Sequence, residues 1–356
     1  MAQRLRRVLV ALGASILIST SVLAETPEYR YRLIQSWSSD FPIFADATKR
    51  FASLVKSLSG GRMTVEIVGT ETHGDAFGVF DAVQSGDYEL GHSASYYWKD
   101  RDPNFLFFTT MPFGMLPVEQ YAWFYHGGGQ ALMNEAYESY GLLSYPGGNT
   151  GSQMGGWFQK RIRSQESLRG LRMRIPGFAG ELMSDLGVDT VNVPAGDMSD
   201  AFKRGDLDAA EWVGPSLDFD LDLHLVAPFY YTGWHEPATE LQFLVNRDAM
   251  RRLPEDLQLI METAMRLAAY DMYVQSIHVS AEQWTEMRQK FPVIRVKDFP
   301  DDVLEALRVS NERALERFAG LSPLTRRIVE SQASYMRDAR EWTLISDYSY
   351  LESIGR

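Results

Sequence analysis

The 356 residues include no cysteine, which excludes disulfides, thiolate metal centres and a cysteine nucleophile at once. The fold must stand on its packed core. Histidine is scarce, with six residues scattered singly, and no Walker loop, Gly-x-Ser-x-Gly elbow or His-Glu-x-x-His pair occurs. Three large classes of hydrolase lose their usual signatures. Basic residues are in deficit as well, 35 against 47 acidic, for a formal charge of −12. A chain of that sign makes a poor nucleic-acid binder, although one local positive site can still take a small anion. Long apolar runs are missing too: residues 8–18 form the obvious one, and they fall short of the roughly 20 residues of a membrane-spanning helix.

What is present begins with Arg4, Arg6 and Arg7 ahead of that apolar run, followed by small residues and Val22-Leu23-Ala24. This order of basic, apolar and small regions is a secretory signal peptide, with cleavage expected after Ala24 and the periplasm as destination. The Arg6-Arg7 pair also raises twin-arginine export, which its neighbours fit poorly, so the route stays open between the two. Loss of residues 1–24 removes three arginines and no acids, taking the formal charge to −15. The remaining residues, about 330 with a hydrophobic share of 45%, are ample for two lobes.

Residues 31–37 read as a first strand. Phe44, Ala47, Phe51, Leu54, Val55 and Leu58 then recur at helical spacing until Ser59-Gly60-Gly61 stops the helix. Met63, Val65 and Ile67 alternate with polar residues as a second strand, so strand, helix, strand implies a parallel crossover. A helix near 79–84 and a strand near 88–91 repeat the pattern. A second αβ region starts near Gly151: a strand around Trp157, a helix at 179–186, extended chain at 190–194, a helix at 198–203 and a strand at 208–213. Residues 241–246 read as a buried strand returning to the first lobe. From Glu255, the residues Leu257, Ile260, Met261, Ala264, Leu267 and Ala268 make one helical face. That helix reaches to about Lys290, long enough to be a strut across both lobes. Two more helices follow, at 301–319 and from Pro323 to about 345, the latter capped by Ser322. The expected architecture is an α/β, two-lobed, hinged binding-protein fold. Its parts are lobe 1 at 25–150 with 236–275 returning, lobe 2 at 151–235 with 276–320 returning, and a C-terminal helix at 321–356.

Two short motifs have plainer readings than their chemistry suggests. His126-Gly127-Gly128-Gly129 looks like a lipase oxyanion loop but lacks a nucleophile, and reads as a turn. Asp218-x-Asp220-x-Asp222 looks like a calcium loop, yet Leu223 replaces the required glycine, and a solvated acidic loop is the better reading.

Four segments carry a joint signal: residues 59–67 (Ser-Gly-Gly-Arg-Met-Thr-Val-Glu-Ile), 148–157 (Gly-Asn-Thr-Gly-Ser-Gln-Met-Gly-Gly-Trp), 168–177 (Leu-Arg-Gly-Leu-Arg-Met-Arg-Ile-Pro-Gly), and 208–215 with 226–237. In this succession the chain resembles the solute-binding subunits of tripartite ATP-independent periplasmic (TRAP) transporters. The fourth segment is most similar to the branch that binds 2-oxo and 2-hydroxy monocarboxylates with a metal ion. The resemblance implies two lobes that close on a small organic carboxylate and deliver it to membrane subunits, with no catalysis. It implies Arg174 as the carboxylate clamp, a role that suits the planar donor fork of a guanidinium. It further implies Gln153, Glu211, the Trp212 carbonyl and Glu236 around the ion, with Gln242 as a weaker candidate. Tyr96 or Tyr97 lines the ligand, depending on strand register, and Asn149 and Phe178 are candidates for the cleft.

An electrostatic argument supports the ion. If Glu211 and Glu236 approach an anionic ligand, three negative charges face one arginine, and burying them unpaired is strongly unfavourable. A cation resolves this, and an all-oxygen set suits sodium or calcium. An ion that chelates a carboxylate oxygen and the C2 oxygen together would select 2-oxo or 2-hydroxy acids. His235, standing before Glu236, departs from the aromatic or small residue expected there and points to a ligand side chain larger than that of pyruvate or lactate. An extracytoplasmic metal-dependent enzyme acting on small carboxylic acids is the alternative from another class, and an ABC-type binding protein shares the fold. Finally, Ile328, Val329, Tyr335, Met336, Ala339, Trp342 and Ile345 lie near one helical face that Tyr348, Tyr350 and Leu351 extend. Such a surface is large for a monomer, and the resemblance implies a homodimer built on it.

Overall fold

The computed structural model describes residues 28–355; the expected leader and its cleavage site lie outside the described residues. Its strands, in chain order, are β1 (Tyr29–Gln35), β2 (Met63–Val68), β3 (Leu90–Ser93), β4 (Leu142–Asn149), β5 (Gly156–Phe158), β6 (Arg172–Arg174), β7 (Asp189–Val191), β8 (Ala209–Ala210), β9 (Phe229–Tyr231), β10 (Glu240–Asn246) and β11 (Arg295–Lys297). They form two mixed sheets, ordered β2-β1-β3-β10-β4 and β11-β9-β5-β8-β6-β7.

In the first sheet β1 runs parallel to β2 and β3, as the strand, helix, strand order requires, and β10 enters antiparallel between β3 and β4. Its residues are buried up to Val245, because the central position covers both faces. The helix Phe44–Leu58 buries Phe44, Ala47, Phe51 and Val55 beneath this sheet, while Leu58 reaches solvent. Gly60 and Gly61 adopt φ of 63° and 84° in the turn that ends it, a left-handed region that side chains disfavour. The third strand sits two residues later than its apolar run suggests. His126 closes the helix Pro117–His126, and Gly128, with φ 89°, opens the next, so the glycine run is a turn.

In the second sheet the strand expected at 208–213 ends after Ala210. Beyond it the amides of Val213 and Gly214 turn to the carboxylate of Asp218, at 3.0 and 2.9 Å, instead of continuing the ladder. Asp218 also accepts from Trp157 Nε1 and the Tyr230 hydroxyl, at 2.8 and 2.9 Å. It is fully buried, which corrects the reading of 218–222 as a wholly solvated loop; Asp220 and Asp222 are the exposed members.

The passages between the sheets run side by side. Thr150 N donates to Thr239 O at 3.0 Å, Gln153 N to Glu236 O at 2.9 Å, and Gly155 N to Tyr231 O at 2.7 Å. The helix Glu255–Lys290 spans 36 residues. It packs on β4, on Phe44–Leu58 and on the short helix Pro215–Asp218, and so ties elements of both sheets together. No helix among the described residues is long and apolar enough to cross a membrane.

The helix Pro323–Thr343 divides in two. Ser322 caps it by accepting from Thr325 N at 3.0 Å, Ile328 and Val329 are buried, and Gln332 Nε2 donates to Phe107 O at 2.6 Å. This half belongs to the chain's own core, which narrows the expected association surface from 321–356 to its distal part. At the boundary Nε and Nη2 of Arg340 both donate to the buried Glu119 carboxylate, which also accepts from Leu116 N and Thr343 Oγ1. Burial raises the Glu119 pKa, but the Arg340 contact and the two other donors outweigh it and hold the carboxyl below its ordinary value. A depressed carboxyl contributes stability that is full above its unfolded value of about 4.3 and is lost as pH falls through the folded value. Arg340→Met should therefore cost about 1–3 kcal/mol at neutral pH and flatten the acid limb of the stability curve, measured by urea unfolding between pH 3 and 7.

Candidate functional site

Parallel pairing of β6 with β8 sets Arg174 opposite Ala210, and Glu211 N donates to Arg174 O at 2.9 Å. Both side chains thus emerge together from the carboxyl ends of parallel strands, the usual place for ligands in α/β sheets. Arg174 is fully buried. Its Nη1 donates to the Glu211 carboxylate at 3.0 Å and to the Glu211 carbonyl at 2.5 Å, and its Nε to Val193 O at 3.2 Å. The guanidinium lies 4.8 Å from the ring centroid of Trp212, a cation–π contact that fixes its plane.

Glu236 and His235 come from the return passage between β9 and β10. Their position rests on close backbone approach: a Cβ on Gly233 would lie 1.9 Å from Gln153 O, so only glycine fits there. One ligand atom each of Glu211, His235 and Glu236 lies within 4.8 Å of the others, and all three residues are buried. Glu236 Oε2 accepts from Thr239 Oγ1 at 2.6 Å, while its Oε1, Glu211 Oε1, Gln153 Oε1 and both His235 nitrogens have no hydrogen-bond partner. Orphaned buried oxygens are rare in native proteins and call for an ion or a ligand group.

Charge makes the same demand. Burial pushes the Glu211 carboxyl up to about 8 against the pull of Arg174, with Asp218 adding to the rise. Burial, with the charge of Glu211 adding to it, pushes Glu236 up to about 7. His235 goes the other way, down to about 4, because burial disfavours imidazolium more than Glu236 stabilises it. Two carboxylates that resist ionisation, three orphaned oxygens and no thiolate fit a hard cation.

Tyr96 and Tyr97 both approach this cluster. Register does not choose between them, because they lie in a 3₁₀ turn, Ser95–Trp98, whose successive side chains diverge less than those of a strand. Burial raises both hydroxyl pKa values; Glu236 raises that of Tyr96 further, and Arg174 lowers that of Tyr97. A cleft of about 500 Å³ opens alongside, lined by Trp37, Phe41, Phe77, Tyr97, Val193 and Trp212.

Three expected positions lie elsewhere. Phe178 is core, edge-on to Phe107 and Phe318 with centroids at 5.9 and 5.4 Å, because its helix turns that face inward. Asn149 is spent on structure: Nδ2 donates to Gln120 Oε1 and Glu240 Oε2, and Oδ1 accepts from Gly151 N. Gln242 stands in central β10, where its Oε1 accepts from Tyr137 and Ser144 at 2.8 and 2.7 Å, so that oxygen serves the core of the first sheet and not the cation cluster. Sequence reasoning missed Asp218 as the organiser of the loop after Glu211, and treated His235 as a matter of pocket shape. The adjacency of His235 to Glu236 was the available signal.

The model of the family described as bacterial extracellular solute-binding protein, family 7, matches residues 33–321. The monocarboxylate 2-oxoacid-binding periplasmic protein of Nostoc sp. is 35% identical over 333 residues, covering 93% of this chain and 91% of that protein. Two TRAP periplasmic solute-binding proteins of known structure are each 51% identical with a TM-score of 0.90, covering 91% of this chain and 99% of theirs. That from Colwellia psychrerythraea was solved with bound calcium and pyruvate, and that from Pseudoalteromonas atlantica with bound sodium and pyruvate. The fold is thus that of a transport receptor and not of an enzyme, and the chain belongs to family 7 of the bacterial extracellular solute-binding proteins, the solute-capturing subunits of TRAP transporters.

Proposed function

We propose that this receptor closes on a small 2-oxo or 2-hydroxy monocarboxylate together with a metal ion, in the periplasm, after cleavage of residues 1–24. The observation that carries the reading is the buried Arg174 beside a ring of orphaned ligand oxygens. Calcium and sodium accompany pyruvate in the two 51%-identical proteins, which is the chemistry this donor set suits. Glu211, Glu236, Gln153 and the Trp212 carbonyl hold the ion, Arg174 clamps the ligand carboxylate, and Tyr96 and Tyr97 close over it. The ion supplies positive charge where the C2 oxygen and one carboxylate oxygen meet it. The apolar cleft by Phe41 and Phe77 leaves room for a side chain larger than methyl.

The lobes are those of 25–150 with 236–275 and 151–235 with 276–320, and they hinge at the paired passages near Thr150 and Thr239. Closure is what buries Arg174 and Trp212, and membrane subunits accept the ligand when the lobes part.

Arg174→Lys should lose most of the affinity for pyruvate in calorimetry. An ammonium cannot reproduce the donor fork, and truncating such a desolvated charged contact costs roughly 2–5 kcal/mol. A change in Kd below about threefold would remove Arg174 from the site.

Dialysis against a chelator in a potassium-only buffer should abolish or sharply weaken pyruvate binding, and calcium or sodium should restore it. Unchanged affinity in that buffer would count against the ion.

The distal C-terminal helix forms a homodimer in this proposal. Trp342, Ile345, Tyr350 and Leu351 are between 59% and 68% exposed. A nearby groove along Pro117–His126 and the long helix offers Val118, Tyr121, Leu267 and Tyr270 to a second copy. Light scattering should report two chains for the mature protein and one after truncation at residue 341, with ligand affinity largely kept; a monomeric intact protein at micromolar concentration would end this part of the proposal.

A further inference from the structure

Of the ion pairs among the described residues, Lys99–Glu181 is the one that joins the two lobes. Lys99 follows the 3₁₀ turn Ser95–Trp98, which carries Tyr96 and Tyr97 out of β3 in the first sheet. Glu181 lies in the helix Gly177–Asp185, which follows β6 and Arg174 in the second. The pair therefore stands just outside the candidate ligand site, on the two elements that frame it from either side.

The lobes already touch beside it. A Cβ on Gly177, whose φ is 63°, would come to 3.0 Å from Tyr96 Cδ1, so this backbone and that ring are in contact. Next to the contact is a cavity of about 210 Å³, lined by Tyr97 and Lys99 from one lobe and by Thr190 and Asn192 from the other. Without the ion pair, that seam is open.

Parting the lobes does not strand either charge. Arg317, on the helix Asp301–Ala319 of the second lobe, places Nη2 3.9 Å from Glu181 Oε2. That helix packs on Gly177–Asp185, where Ser310 Oγ donates to Asp185 at 2.7 Å, so it stays with Glu181 when the lobes separate. The side chains of Lys99 and Glu181 are 30% and 35% exposed, and water takes up the ammonium on opening. A fully buried pair would instead leave an uncompensated charge on rupture.

We propose that Lys99 and Glu181 form a latch between the lobes, which assembles on closure and slows release of the bound carboxylate without touching it. The inference rests on the hinged closure proposed above and adds the residues that set its lifetime. A partly exposed ion pair contributes modestly and is screened by salt, so the latch has a small, salt-sensitive effect. Because it forms after the ligand has entered, it acts on dissociation more than on association.

The test follows pyruvate with calcium on the mature protein by stopped-flow tryptophan fluorescence. Glu181→Gln and Lys99→Met should each speed release about two- to fivefold and leave association nearly unchanged. The double variant should release no faster than the quicker single one, and Lys99→Arg should keep the wild-type rate. Raising potassium chloride from about 20 mM to about 500 mM should speed release from the wild type and not from the two charge-removing variants. Lobe separation is read independently of ligand. The chain has no cysteine, so Glu66→Cys and Lys203→Cys, exposed positions on opposite lobes, take spin labels for pulsed dipolar spectroscopy. In ligand-free protein the charge-removing variants should show a larger share of long distances than the wild type. Release rates whose increases multiply in the double variant, or unchanged rates with unchanged distances, overturn the latch. Distances that respond to the variants while pyruvate with calcium fails to bind leave the latch standing and remove the ligand reading instead.

Discussion

Uncompensated negative charge in a dry cleft is the constraint on which this molecule turns. Glu211 and Glu236 are buried at the meeting of the two sheets with one guanidinium, that of Arg174, beside them. Ionised carboxylates in such a place are strongly disfavoured unless something positive joins them, as the upward displacement of both pKa values records. The site is therefore poised to bind cation and anion together, each making the other's burial tolerable. Coupling of that kind selects ligands that can share an ion, which is a property of 2-oxo and 2-hydroxy acids more than of carboxylates at large.

Much of the surrounding structure serves to hold those charges in place. Asp218, buried with four donors, stops β8 after Ala210 and bends the following backbone, so that Glu211 and Trp212 face the cleft instead of continuing the strand. The paired passages between the sheets carry Gln153 on one side and Glu236 on the other, linked by a backbone hydrogen bond. Opening the lobes about these passages would separate Tyr96 and Tyr97 from Arg174 while leaving the Arg174–Glu211 pair intact, since β6 and β8 belong to one sheet.

The C-terminal helix shows how one periodic pattern can serve two purposes. Ile328 and Val329 pack into the chain's own core, whereas Trp342 and Ile345, farther along the same helix, face solvent. Periodicity records that a face is apolar; it does not record what covers it, because the burial energy is the same whether the partner surface belongs to this chain or another.

Local patterns carried most of the fold in readable form. The helices at Phe44–Leu58, Val79–Gln84 and Glu255–Lys290, and the strand at Glu240–Asn246, stand where apolar spacing and stop signals put them, since those forces act within a few residues. The motif succession around Arg174, Glu211 and Glu236 likewise named the residues that the fold gathers, through resemblance and not through spacing. Tertiary structure decided the rest: that Tyr96 and Tyr97 share a turn and both face the charges, that Phe178 is core, that Asn149 and Gln242 serve the first sheet, and that His235 points into the cluster. Each of these depends on contacts between segments tens of residues apart, where side-chain direction is set by a neighbour that the local sequence does not contain.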